Sequence, residues 1–330
     1  MQGKPKFEPV SGDLVEDPLP DVVQAGQLDA LRLRSLRAIS QSLARAPDLD
    51  GLLSTLLTGL DHQLGFAQTL ILLADETAVR LSTIASRGYP EEGVGSEVRF
   101  GEGVIGTVAK TRKPLRVGAI GRAVNYVRAV AGATPGDAAA EIPLPGLKLP
   151  QSCVAIPLLW HDELVGVLAA ESEKIDAFSE NDETLLGILG NQVAPAVNEM
   201  LQRSDLAEPV SAQPARPVNR GGTRRFTFYR QDESIFFDGE YLIRYVAAQI
   251  LRRLLQLHAT EGRVEFTNRE LRMDPSIRLP AVKDNLESRL LLLRKRLEQK
   301  CPALRLQPTG RGRFRLETGC VLELIEKDAP

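Results

Sequence analysis

The residues best suited to chemistry in this chain are basic, and most lie in its last third. Arg289, Arg294, Lys295 and Arg296 fall within one stretch, SRLLLLRKRLEQ, and Arg311 and Arg313 flank a glycine soon afterwards. Arg269 and Lys283 stand near the predicted starts of two helices. Such side chains release counterions when they meet phosphates, and a guanidinium can pair with two acceptors on a guanine edge. These residues therefore point to DNA as a partner, with Arg269 and Lys283 placed for phosphate. The charge distribution agrees. From Gly221 onward, 21 Lys and Arg stand against 15 Asp and Glu, so this part carries +6 and the rest of the chain −8. An uneven solvated surface would give the same split.

Other reactive types are sparse. Gly101, Gly103 and Gly106 spell G-x-G-x-x-G. A dinucleotide site would also need a βαβ unit and an acid about 20 residues on, where Arg122 stands instead. The glycines fit a tight turn against a sheet better. Cys153, Cys301 and Cys320 lack metal-ligand spacing, and so sparse a count suits a reducing cytosol. Cys153 reads as a small buried apolar residue and His161 as a turn residue with no second His nearby. No Ser/His/Asp set or pair of acids converges on a site, so neither an enzyme nor a metal or cofactor site is expected. No stretch approaches the roughly 20 apolar residues of a membrane span. The first 21 residues, rich in Pro, Asp and Glu, do not read as a secretory signal, so a cytoplasmic protein is expected.

The elements that must position these residues divide in two. Leu206–Gly222, LAEPVSAQPARPVNRGG, lacks an apolar period and reads as a linker. The expected organisation is a disordered segment over 1–26, a first domain over 27–204, a linker over 205–222 and a second domain over 223–330. In the first domain, helical spacing over Gln27–Ala44 precedes a helix with Asp48 as N-cap. Short strands follow at Gln68–Ala74, Val79–Ala85 and Ser96–Phe100, then a helix over Val104–Lys110 and a strand at Leu115–Val117. A loop over Gly118–Pro150 leads to a hairpin, Ser152–Leu159 with Leu164–Ala170. Ser179 and Asp182 form a capping box for a last helix reaching Arg203. This is an α+β pattern with helices flanking one sheet.

These segments together resemble a GAF domain. GEGVIGTVAKTRKPLRV (101–117) resembles its central signature, SCVAIPLLWHDELVGVLAAES (152–172) its closing hairpin, and FSENDETLL (178–186) the entry to its last helix. The resemblance covers about residues 30–203. It implies a six-stranded antiparallel sheet, a pocket on one face that often takes a small molecule, and homodimers through the first and last helices. If there is a ligand, the 118–150 loop should cover it, with Asn125, Tyr126 and Arg128 as its best contacts; otherwise the loop is a long connection. Phe178, Asp182 and Glu183 resemble part of a cyclic-nucleotide signature, but the capping box accounts for Asp182 alone.

The second domain reads as strands at Phe226–Tyr229 and Ser234–Phe237, a helix over Tyr241–His258, and a short strand at Val264–Phe266. A helix capped by Thr267 and Glu270 follows, then a long helix from Pro280 to about Lys300 and a hairpin around Thr309–Gly312. Over about 225–318 this order resembles the winged helix-turn-helix effector domain of two-component response regulators. In that family the third helix enters the major groove and the hairpin wing touches the backbone. Leu293–Leu297 match its Leu-Arg-Lys-Lys-Leu step, Arg289 a DNA-contacting position and Phe314 the aromatic of the wing. Two departures stand out. Leu290–Leu293 cover more than one helix face, and Asp284 and Glu287 would face phosphates. The reading is a transcription regulator in which a GAF-like sensory module controls a DNA-binding winged helix. The alternative is a signalling adaptor that docks a protein through the leucine-rich third helix.

Overall fold

The computed structural model describes residues 20–75, 79–90, 93–120, 144–147, 150–203, 222–279, 286–310 and 312–329. The N-terminal module opens with two helices, α1 (Pro20–Leu43) and α2 (Leu49–Leu64). The Asp48 carboxylate accepts from Gly51 N at 2.8 Å and caps α2, and Gly65, with φ of 78°, ends it in the left-handed conformation. Six strands follow: β1 (Gln68–Asp75), β2 (Arg80–Arg87), β3 (Glu97–Arg99), β4 (Leu115–Val117), β5 (Ser152–Trp160) and β6 (Glu163–Ser172). They form one antiparallel sheet in the order β3-β2-β1-β6-β5-β4. Helix α3 (Gly103–Thr111) lies on one face, while α2 and α4 (Glu180–Arg203) pack on the other, with α1 against them.

Period-2 alternation serves both faces. Ile71 and Leu73 of β1 face the paired helices, whereas Leu70 and Leu72 face α3. The capping box of α4 forms as the sequence predicts. Ser179 N and Oγ donate to Asp182 Oδ2, both at 2.7 Å, and Ser179 Oγ accepts from Asp182 N. The three glycines at the entry to α3 are structural. Gly101 and Gly103 adopt φ of 91° and 60°, and a Cβ on Gly106 would lie 2.2 Å from the carbonyl oxygen of Arg99. Only a bare Cα lets α3 lie so close to β3.

The C-terminal region is a mixed α/β unit. Strands β7 (Thr223–Tyr229), β8 (Ser234–Phe237) and β9 (Glu240–Arg244) form a meander, joined on its open side by β13 (Val321–Lys327), which runs parallel to β7. Helices α5 (Tyr245–Glu261), α6 (Asn268–Met273) and α7 (Leu286–Lys300) follow. Strands β10 (Glu265–Thr267), β11 (Leu304–Gly310) and β12 (Arg313–Thr318) close a three-stranded sheet. Helix α1 begins at Pro20, inside the segment expected to be disordered over 1–26, and two features of the C-terminal region also depart from the sequence reading. The helix expected from Tyr241 starts at Tyr245, because EYLIR pairs with β8 as a strand. Strand β13 lies beyond the 225–318 stretch that carries the resemblance and is fixed by pairing with β7.

The two modules share one hydrophobic core, which includes Leu56 and Leu189 from the first and Leu251 and Leu293 from the second. Helix α7 reaches α4 of the N-terminal module. No helix among the described residues is long and apolar enough to cross a membrane.

Candidate functional site

The basic residues of α7 are where the modules meet. Arg289, 8% exposed, donates to Asp75 Oδ2 at the end of β1, 2.5 Å away. Lys295 Nζ lies 2.5 Å from Asp50 Oδ1 in the first turn of α2. Arg294 is half-buried, and burial lowers its pKa against the charges of Glu298 on the same helix and, more weakly, of Asp50 and Asp48. Arg296, 5% exposed, turns the other way and donates its Nε to the carbonyl of Leu242 in β9. The face of α7 that the sequence assigns to DNA therefore lies against acids of the N-terminal module.

The same packing accounts for the leucines. Leu290, Leu291, Leu292 and Leu293 are all buried, so the run serves two sides of one helix. Glu287, which looked ill-placed near phosphates, accepts from Arg272 at 2.8 Å through both oxygens and from Asn268 at 2.8 Å, tying α6 to α7. Of the remaining basic candidates, Arg269 is exposed and Arg313 is half-buried on β12. Lys283 and Arg311 lie outside the described residues, as do Asn125, Tyr126 and Arg128 and most of the 118–150 loop.

Between the modules runs a cleft of about 330 Å³. Glu97 on β3 lines it, and its Oε2 accepts from Arg80 Nη1 at 2.8 Å and from Arg244 Nη2 at 3.0 Å. Arg80 also donates to the hydroxyl of Tyr245 at 2.6 Å, and the guanidiniums of Arg80 and Arg244 stand 4.6 and 4.8 Å from that ring's centre. Tyr245 opens α5 with a φ of 59°, rare for so bulky a residue, and its N–H is held by the Glu233 carbonyl. Sequence reasoning missed this cluster, because the residues come from two modules and share no local pattern.

On the opposite face of the sheet, under α3, lies a second polar group. Glu171 of β6 pairs across the ladder with Cys153 of β5. Burial raises the Glu171 pKa, and the N–H of Leu147, at 3.3 Å, partly offsets it. The buried Tyr89 hydroxyl lies close by and also favours the Glu171 carboxylate. Cys153 is buried, and burial followed by the nearby Glu171 charge pushes its thiol well above the usual range. That suppresses the thiolate and leaves it a packing residue. The end of the loop closes here: Pro145 is buried and stands against Gly93. The three free cysteines are all buried, and no group of metal-binding residues occurs among the described residues.

The family model of the GAF domain matches residues 46–198. Among solved structures, the GAF domain of a phosphoenolpyruvate-protein phosphotransferase from Acinetobacter is 22% identical, with 51% of this chain and 93% of that one covered and a TM-score of 0.43. A free methionine-R-sulfoxide reductase from Neisseria meningitidis, in complex with its substrate, is 23% identical over 52% of this chain and 92% of that one, with a TM-score of 0.42. No curated protein matches the chain. Residues 46–198 are thus a GAF domain, and residues 222–330 have no family assignment.

Proposed function

We propose that this chain is a non-catalytic, signal-responsive transcription regulator whose GAF domain restrains a DNA-binding C-terminal module through α7. The observation that carries this reading is the charge-matched seat of α7. Arg289 and Lys295 meet Asp75 and Asp50, and Arg294 lies near Asp48 and Asp50. In the C-terminal region α6 and α7 follow in sequence with a β11–β12 hairpin after them, and the reading takes these as the helices and wing of a DNA-binding winged helix. In the docked form the face of α7 that would enter a major groove is covered by the GAF domain. Undocking would present Arg289, Arg294 and Lys295, with Arg311 and Arg313 on the wing and Arg269 and Lys283 on phosphate. Arg296 stays with β9 and holds the helix in its own module.

Docking of a foreign protein through the leucine-rich face would need the same undocking, since those leucines are buried within the chain, and it leaves the basic side chains of α7 without a role. We also propose that a small ligand lies under the 118–150 loop near Asn125, Tyr126 and Arg128, and that two copies pair through α1 and α4.

The test is binding of the purified full chain to mixed DNA fragments at two salt concentrations. Asp50→Lys/Asp75→Lys replaces attraction at the seat of α7 with repulsion. The variant should bind at least tenfold more tightly than the parent, with affinity falling as salt rises. If neither protein binds at low salt, the DNA reading is wrong. Equal binding by both would remove the restraint from it.

A further inference from the structure

We infer that the cleft between the modules is a binding site for a small oxyanion, the carboxylate or phosphate of a metabolite. This site lies on the face of the GAF sheet opposite α3, away from the ligand position proposed above. It stands whether or not the C-terminal module binds DNA.

The size is right: about 330 Å³ lies at the lower end for small-molecule pockets. The lining is apolar at its base, where Leu73, Ile84 and Leu292 stand, and charged at its walls. Four guanidiniums line it, Arg80 from the GAF domain and Arg244, Arg278 and Arg289 from the C-terminal module. Three carboxylates face them: Asp75, Glu97 and Glu233.

The lining arginines outnumber the lining carboxylates by one, four to three. A single oxygen of Glu97 serves both Arg80 and Arg244, so one carboxylate stands between two cations. At the mouth, Arg278 is 83% exposed in its side chain and reaches Glu233 only at 3.6 Å. Its guanidinium can swing inward with little cost in lost pairing, since an exposed contact of that length contributes little. Planar guanidiniums match the two or three oxygens of a carboxylate or phosphate in pairs.

The backbone adds to this field. Tyr245, Val246 and Ala247, the first residues of α5, line the cleft. No side chain caps that helix and its own first turn holds no acid, so its positive end adds to the field of the arginines. An anion bound here would contact both modules at once. It would bind the docked arrangement in preference to the separated one and hold the modules together.

The experiment is calorimetric titration of the full chain with inorganic phosphate and with citrate at fixed ionic strength, with chloride as the reference salt. At least one of the two should bind above the chloride background. Arg278→Gln, at an exposed position where the fold is not at stake, should weaken that binding at least tenfold. Arg80→Gln should abolish it. Arg305→Gln, exposed on β11 away from the cleft, should leave it unchanged. If Arg80→Gln does not fold, the Arg278 and Arg305 variants decide. No heat above chloride for either anion overturns the site, and so does binding that survives Arg278→Gln.

Discussion

Glu171 shows how a single buried group can give a pH signature to the GAF domain. Its pKa in the folded chain lies above the unfolded value because burial disfavours the carboxylate more than the Leu147 N–H and the Tyr89 hydroxyl support it. The folded state therefore holds its proton to higher pH than the unfolded state does. That contribution to stability is fully present below the unfolded pKa of about 4.3 and is lost as pH rises through the raised folded value. Glu171→Gln keeps the shape and removes the titration. The variant should gain melting temperature relative to the parent as pH rises from 4 to 7, with the two closest at the acid end. A constant difference across that range would show that the carboxylate is not strained by burial.

At the scale of elements, α1 and α4 leave apolar side chains outside the fold. Leu31 and Leu33 of α1 are 58% and 61% exposed, and Ile188 of α4 is 47% exposed. Within one copy the two helices are pinned by Ser40 Oγ to Gln192 at 2.8 Å and by Arg32 to Asp182 at 3.0 Å. Their outer faces would bury this apolar surface against a second copy. Leu31→Lys/Leu33→Lys should then halve the mass seen by sedimentation without altering the circular dichroism. A parent that sediments as a monomer at micromolar concentration would dismiss the pairing.

The elements themselves were largely legible. Asp48, Ser179 with Asp182, and Thr267 with Glu270 mark helix starts in the sequence and act as caps in the structure. Where legibility failed, the cause is tertiary. Tyr241–Arg244 carries apolar residues that suit the helix behind it, and pairing with β8 turns the segment into a strand. Arg289 offers its charge to any acidic or phosphate partner, and one that it meets in the fold, Asp75, is 214 residues away. Local pattern shows that α7 is basic and leucine-rich but carries no sign of what lies against it.

For the whole molecule, the question is whether two modules joined by such contacts behave as one. The shared core and the Glu97 bridge argue that they do. The chain holds a single tryptophan, Trp160, at the end of β5, so its fluorescence reports the GAF domain, while far-ultraviolet circular dichroism reports both modules. In urea, the parent should show one transition with coincident midpoints by the two probes, the signature of cooperative unfolding. Glu97→Gln removes the charge shared by Arg80 and Arg244 and leaves two guanidiniums facing each other across the cleft. Each hydrogen bond to a charged group contributes about 1.5–3 kcal/mol, so the bridge is worth about 3 kcal/mol in its half-buried setting. That loss falls on the contact between modules more than on either interior. The variant should therefore separate the probes, with the circular dichroism transition starting at lower urea than the fluorescence change. Separated midpoints in the parent would mean that the modules are held together too weakly to unfold as one. Coincident midpoints in the variant would place the coupling in the apolar core rather than in the bridge.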